Sequence, residues 1–169
     1  MKKNNKKIVL LLLVLTISFT ILVGCSKKEN NNINNEANVE ENINNEDIYS
    51  NKTEYVGDSS KVVGIVSSLD YSKNYTYNSI EIISEEKPYG LVVYLDENSP
   101  SEEKDFFNQA VATFALIENL DNLKYSLMDN KDIIEEFNRE DVDLILRENG
   151  EKSLEEISQD KSEIDKYIN

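Results

Sequence analysis

"YGLVVYLDENSPSEEKDFFNQAVATFALIEN", residues Tyr89–Asn119, holds the two elements around which the chain must fold. Leu91 to Leu95 is apolar throughout, β-branched and aromatic, the pattern of a central strand. Ser99-Pro100-Ser101-Glu102 follows, with a serine at the N-cap position, a proline at N1 and a glutamate at N3. That combination is a capping box, and it predicts a helix from Pro100 to about Asn119. Phe106, Phe107, Ala110, Val111, Phe114 and Ile117 recur at helical spacing to give it a buried face, which Ala115 and Leu116 broaden. A covered strand and a helix with a wide apolar face must bury each other, so the core is expected between them.

Other elements extend outward from this pair. Upstream, "NSIEIIS" (Asn78–Ser84) alternates, with Ile80 and Ile82 on one face and Glu81 and Ile83 on the other, and "EEKPYG" supplies the turn into Leu91. Further upstream, Asp58 is an N-cap for a short helix carrying Val62, Val66 and Leu69 at i, i+4 and i+7, widened by Val63 and Ile65. Gly64 inside it costs ~1 kcal/mol relative to alanine and suggests close packing. Downstream, "NLKYSLMD" (Asn122–Asp129) reads as a third strand and Asp132 to Phe137 as a weak fourth. Asn138-Arg139-Glu140-Asp141 opens a helix that Gly150 closes, and two short helices follow near Ser153–Ser158 and Lys161–Ile168. The expected class is α+β: a small, mostly antiparallel sheet of three to four strands packed against one long helix and several short ones. Residues 49–169 make one domain, and about 120 residues suffice for a single core.

The N-terminus gives an address. Lys2, Lys3, Lys6 and Lys7 precede an apolar run from Ile8 to Leu15 that continues to Val23, the layout of a secretory signal over residues 1–24. At roughly 16 residues the run is short of the ~20 that span a bilayer, so an uncleaved anchor is the alternative. Leu22-Val23-Gly24-Cys25 resembles the lipobox of bacterial lipoproteins, with a leucine three positions before the cysteine and a small residue just before it. By that resemblance Cys25 carries a diacylglyceryl thioether and becomes the first mature residue. It is the only cysteine, so none is left for a disulfide or a thiolate nucleophile. Residues 25–48, with "ENNNINNEANVEENINNED" at their centre, are too polar to offset chain entropy and read as a disordered tether. Its r.m.s. reach is about 25–30 Å.

Charge and composition exclude several activities. The formal charge is −15, and removing the four signal lysines from 18 basic residues leaves 14 against 33 acidic ones. Such a surface repels nucleic acid, which is bound through Lys and Arg clusters. No histidine is present, so the commonest general base and zinc ligand are missing. A Ser-His-Asp or Cys-His site cannot be assembled, and no phosphate-cradling glycine loop occurs among five glycines. Glu102, Glu103 and Asp105 offer paired carboxylates for glycoside chemistry, but they crowd the first turn of the expected helix, where the dipole explains them. The loop from Asp96 lacks the glycine and final glutamate of an EF-hand. Met128–Asp132 offers carboxylates and an amide for a weak divalent site, equally well read as a solvated hairpin turn. No cofactor and no catalytic residue is implied.

Tyr71, Tyr75 and Tyr77 lie in "LDYSKNYTYNS" (Leu69–Ser79), expected as a loop between helix and strand. Tyrosines exposed beside Ser and Asn make a protein- or peptide-binding surface. The other reading is that the rings lid the edge of a small core.

"YVGDSSKVVGIVSSL" (Tyr55–Leu69), "KPYGLVVYL" (Lys87–Leu95) and "FALIENLDNLKYSL" (Phe114–Leu127) resemble, in that order, the bacterial family called domain of unknown function 4825. Tyr55-Gly57-Asp58 and Pro88-Tyr89-Gly90 carry the likeness best. The resemblance implies a domain found in lipoproteins and at the extracytoplasmic end of membrane proteins similar to antibiotic-sensing metallopeptidase transducers of the BlaR type. It brings no catalytic or ligand residue. The expectation is a lipid-anchored protein on the extracytoplasmic face of the cell membrane, a non-enzymatic binding or sensory-accessory domain with a protein or peptide partner in the envelope. The alternative is an immunity lipoprotein that sequesters a cationic toxin or antibiotic.

Overall fold

The computed structural model describes residues 48–100 and 105–168. The signal at 1–24 with Leu22, Gly24 and Cys25, the tether up to residue 47, and Ser101, Glu102 and Glu103 lie outside those residues. A short 3-10 turn (Ile48–Asn51) leads into α1 (Ser59–Val66), β1 (Tyr75–Ile83), β2 (Gly90–Glu97), α2 (Phe107–Leu116), β3 (Asn122–Leu127), β4 (Ile133–Asn138), α3 (Arg139–Glu148), α4 (Leu154–Ser158) and α5 (Lys161–Ile164).

The sheet runs β1-β2-β3-β4. β1 and β2 form an antiparallel pair, as do β3 and β4. β2 and β3 at the centre are parallel, with Leu91 opposite Leu123 and Val93 opposite Tyr125. A parallel pair needs a long crossover, and α2 provides it. The fold is α+β, and two of its three strand pairings are antiparallel. Both edge strands carry an extra residue, Asn78 in β1 and Ile134 in β4. Such bulges twist an edge away from unwanted pairing.

Leu91, Val93 and Leu95 of β2 and Leu123 and Tyr125 of β3 face one side and are buried. Against them lies α2, in which every residue from Ala110 to Leu116 is buried. A helix apolar all round has to be covered on all sides; α1, α3 and α4 pack on the faces that the sheet leaves. At Gly64 of α1 a Cβ would stand 2.8 Å from the Asn51 side chain, so the glycine lets the entering chain pack closely. Asp58 Oδ1 accepts from Lys61 N and caps α1. The other sheet face carries Glu81, Val92, Tyr94, Lys124 and Glu136, half or fully exposed.

The central helix departs from the sequence expectation at both ends. It begins at Phe107 rather than Pro100, and Ser99 Oγ donates to Asn74 Oδ1 instead of capping it. Its first amides are taken by acids: Phe106 N–H donates to Glu135 Oε2 of β4 at 2.9 Å and Phe107 N–H to Asp105 Oδ1 at 3.1 Å. At the far end Ile117 leaves the helix and forms a parallel bridge with Thr53. Arg139 closes that end, donating to the carbonyls of Phe114, Ile117 and Leu120 at 2.8, 2.6 and 2.7 Å.

Among the described residues no helix is long and apolar enough to cross a membrane.

Candidate functional site

The segment from Val66 to Tyr75 turns sharply at the amino end of α2. Asp70 Oδ1 accepts from Ser72 N at 2.8 Å and Ser72 Oγ accepts from Asn74 N at 3.3 Å. These side-chain bonds hold Ser72 at φ 68°, a left-handed conformation that non-glycine residues seldom adopt. The cost is about 1–3 kcal/mol, and such positions persist where the surroundings over-determine them. The turn delivers Tyr71 inward, where its hydroxyl donates to Val66 O at 2.8 Å.

Tyr71, Tyr75, Phe106 and Tyr125 then form one aromatic cluster. Phe106 lies 4.9 Å from Tyr125, 5.4 Å from Tyr75 and 6.1 Å from Tyr71, centroid to centroid, with the two latter contacts edge-on. Such geometry adds stabilisation beyond area burial. Burial pushes the Tyr71 and Tyr125 phenols well above their ordinary value. Tyr75 is raised by burial and then by Glu97, and Tyr77 by burial. These rings are therefore neutral hydrogen-bonding groups.

Beside the cluster is a cavity of about 320 Å³, walled by Tyr71, Asn74, Tyr75, Asp105, Phe106 and Gln109, with Ser72 and Lys73 also lining it. The size is at the lower end for small-ligand sites. The cavity sits where β2 ends and α2 begins, the carboxyl end of a parallel strand, which is where open α/β sheets hold ligands. Gln109 Nε2 donates to the Asp70 carbonyl, which fixes the amide orientation. Its Oε1 is buried and has no hydrogen-bond partner, and the same is true of Tyr75 Oη. Orphaned buried polar atoms are rare in native folds, and each asks for an explanation. Burial raises the Glu135 carboxyl, the Phe106 amide lowers it and the nearby Asp105 raises it again. Two carboxylates on its first amides already supply negative charge to the helix terminus and disfavour a further anion there.

The structure corrects the exposure expected of a tyrosine binding surface. Tyr71 and Tyr75 are 3% and 4% exposed, and Tyr77 is half-buried. Tyr75 and Tyr77 belong to β1, because their aromatic and β-branched context pairs them with Glu97 and Leu95. The rings close the core edge, and two of them wall the cavity. Gln109 and Glu135 were missed from the sequence. Gln109 had a signal, as a polar residue starting an otherwise apolar run; Glu135 had none, since its role depends on a helix 29 residues earlier in the chain.

The Met128–Asp132 hairpin is internally bonded. Asn130 Nδ2 donates to Asp132 Oδ2, Asp132 N to Asn130 Oδ1, and Lys131 Nζ sits 3.8 Å from the Tyr94 ring centroid. Among the described residues no three acidic side chains come together as a metal site. Two other hollows are bordered by groups already satisfied. One holds Lys152 and Lys166 paired with Glu163. The other holds Arg139 and Lys52, each committed to backbone carbonyls.

A family model described as Domain of unknown function (DUF4825) matches residues 48–140, which covers the sheet, α1, α2 and the whole cavity wall and leaves out nearly all of α3 to α5. No curated protein and no solved structure matches the chain.

Proposed function

From the premise that the chain belongs to the DUF4825 family, we propose that it is a lipoprotein held at the extracytoplasmic face of the cell membrane through Cys25. Its domain binds a ligand or partner and serves a sensory-accessory role without turnover. The observation that carries the binding role is the cavity at the start of α2, whose walls include two buried polar atoms without partners. A core that served packing alone gains by replacing such atoms with apolar ones, because an unsatisfied buried group costs about 1–3 kcal/mol. The chemistry on offer is recognition: neutral phenols, two amides and a carboxylate, in a chain without histidine. The cavity lies inside the family segment, so it belongs to the shared domain. The first described residues sit at the other end of α2, where Thr53 bridges Ile117, one helix length of about 15 Å away. The strong negative charge favours a second reading, sequestration of a cationic toxin or antibiotic.

A photocrosslinker placed at Lys73 on the cavity rim, compared with one at Glu136 on the open sheet face, tests the binding role in native membranes. A discrete adduct from Lys73 and none from Glu136 is the expected result. Adducts only from Glu136 would move the binding surface to the sheet and end the cavity reading.

A further inference from the structure

We propose that the cavity at the start of α2 takes a small organic cation bearing N–H donors, an alkylammonium or a guanidinium group, whether free or on the side chain of a basic peptide. This rests on the binding role proposed above and names its ligand class. Ser72, Lys73 and Asn74 offer donors on the solvent side of the cavity, but the two buried polar atoms without partners lean the other way. Gln109 Oε1 can only accept, because Nε2 is held by the Asp70 carbonyl and the amide cannot turn over without breaking that bond. Asp105 is a second acceptor, exposed at the wall, with one oxygen on Phe107 N and its other oxygen without a bond among the described residues. Tyr75 Oη, also orphaned, can accept or donate. Three groups that can accept from one ligand describe a donor-rich partner.

Charge and ring geometry point the same way. An anion is the usual guest of a helix N-terminus, but here Glu135 and Asp105 already occupy the first two amides. Tyr71, Tyr75 and Phe106 make part of the wall aromatic. An aromatic ring attracts a cation through its quadrupole, more strongly as the site is desolvated. Among the described residues of the lining, Lys73 is the one opposing charge, and it is exposed on the rim. Solvent does not reach Gln109 Oε1 or Tyr75 Oη, so a ligand pairs with them only after a small side-chain movement in the wall.

The test uses the full-length protein in detergent micelles, titrated with n-butylammonium, agmatine, butyramide and acetate while amide resonances of Ser72–Tyr75 and Gln109 are followed. Agmatine and a lysine- or arginine-containing tripeptide, compared at equal charge, separate a free amine from a peptide side chain. Both cations are expected to shift those resonances saturably, and butyramide and acetate to leave them in place. Asp105→Asn should weaken cation binding about tenfold or more, since hydrogen bonds to charged groups are the stronger kind. Gln109→Leu should abolish the shift of Ser72–Tyr75 while the protein stays folded, the lost bond to the Asp70 carbonyl being offset in part by removal of the orphaned Oε1. Lys73→Gln should tighten binding. Should Gln109→Leu unfold, Asp105→Asn and Lys73→Gln still decide, because both positions are exposed. Binding of butyramide or acetate at the same resonances overturns the cation class and leaves the cavity as a binding site. Silence with every probe, or cation affinity unmoved by Asp105→Asn and Lys73→Gln, overturns the assignment itself, whatever the crosslinker reports.

Discussion

Replacing Arg139 with methionine should release the carboxyl end of α2. The guanidinium makes three hydrogen bonds to main-chain carbonyls, two of them from Nη2, and lies 5.3 Å over the Phe114 ring. Two of those carbonyls, Phe114 and Ile117, are among the orphans a helix end leaves, and the third, Leu120, lies in the turn that follows; one side chain from the start of α3 reaches all three. Each bond to a charged donor contributes about 1.5–3 kcal/mol. The three do not simply add, because burying the guanidinium has its own cost. Burial lowers its pKa, and the fields of Asp121, Glu118 and Asp143 recover part of the loss. Methionine retains packing over Phe114 but leaves the Phe114 and Leu120 carbonyls without this donor and Ile117 with only the long bond from Leu120 N, so the expected loss is about 3–5 kcal/mol, as for breaking other buried charge arrangements. For a domain this size that is roughly 10–20 °C in Tm and a large part of a total near 5–15 kcal/mol. Urea unfolding of the full-length protein, followed by far-UV circular dichroism, measures it. Arg139→Lys should fall between, since an ammonium is a point charge without the planar fork. A methionine variant with the parent's urea midpoint would refute the role, and a lysine variant equal to the parent would show that charge suffices without the fork.

Three further outcomes are expected. Cys25→Ala should leave an uncleaved precursor or release the protein from membranes; unchanged mass and detergent-phase partitioning would rule out the lipid anchor. Phe114→Ala, at a ring with no exposed surface, should cost about 3–5 kcal/mol in the same urea assay, and an unmoved midpoint would mean that α2 is packed by a different face. Glu135→Gln concerns pH. The folded carboxyl is raised by burial above its unfolded value, so the folded state binds the extra proton and this group's contribution falls as pH rises from the ordinary carboxylate range through the raised value. The glutamine variant should therefore gain on the parent as pH rises from the ordinary carboxylate range upward, and a stability difference that is flat with pH contradicts the burial of that charge.

Which parts of this fold are written locally, and which are not, follows from where each element finds its partners. Asn138 accepts from Asp141 N, Ser153 and Glu156 form a reciprocal box, and Gly150 takes φ 76° after α3, all within a few residues and all readable from residue type. Leu91, Val93 and Leu95 announce a central strand by composition alone. The parallel direction of β2 and β3 is not local: it is set by the crossover of 24 residues between Glu97 and Asn122, a length suited to a helix and too long for a hairpin. The start of α2 is less local still. Ser99 has the right chemistry to cap it, but its hydroxyl goes to Asn74, while Glu135 of the edge strand takes the Phe106 amide. That distant capping also shapes the candidate site. A helix carried back to Pro100 would run on for another seven residues, about 10 Å, and would turn Asp105 and Phe106 with its own surface. Starting at Phe107 instead, the chain leaves Phe106 to pack among the tyrosines and sets Asp105 at the wall beside Gln109. The cavity is thus a consequence of a long-range carboxylate winning the helix terminus from a local serine, which is why Tyr71, Tyr75, Asp105 and Phe106 could be named from the sequence but not assembled, and Gln109 was missed.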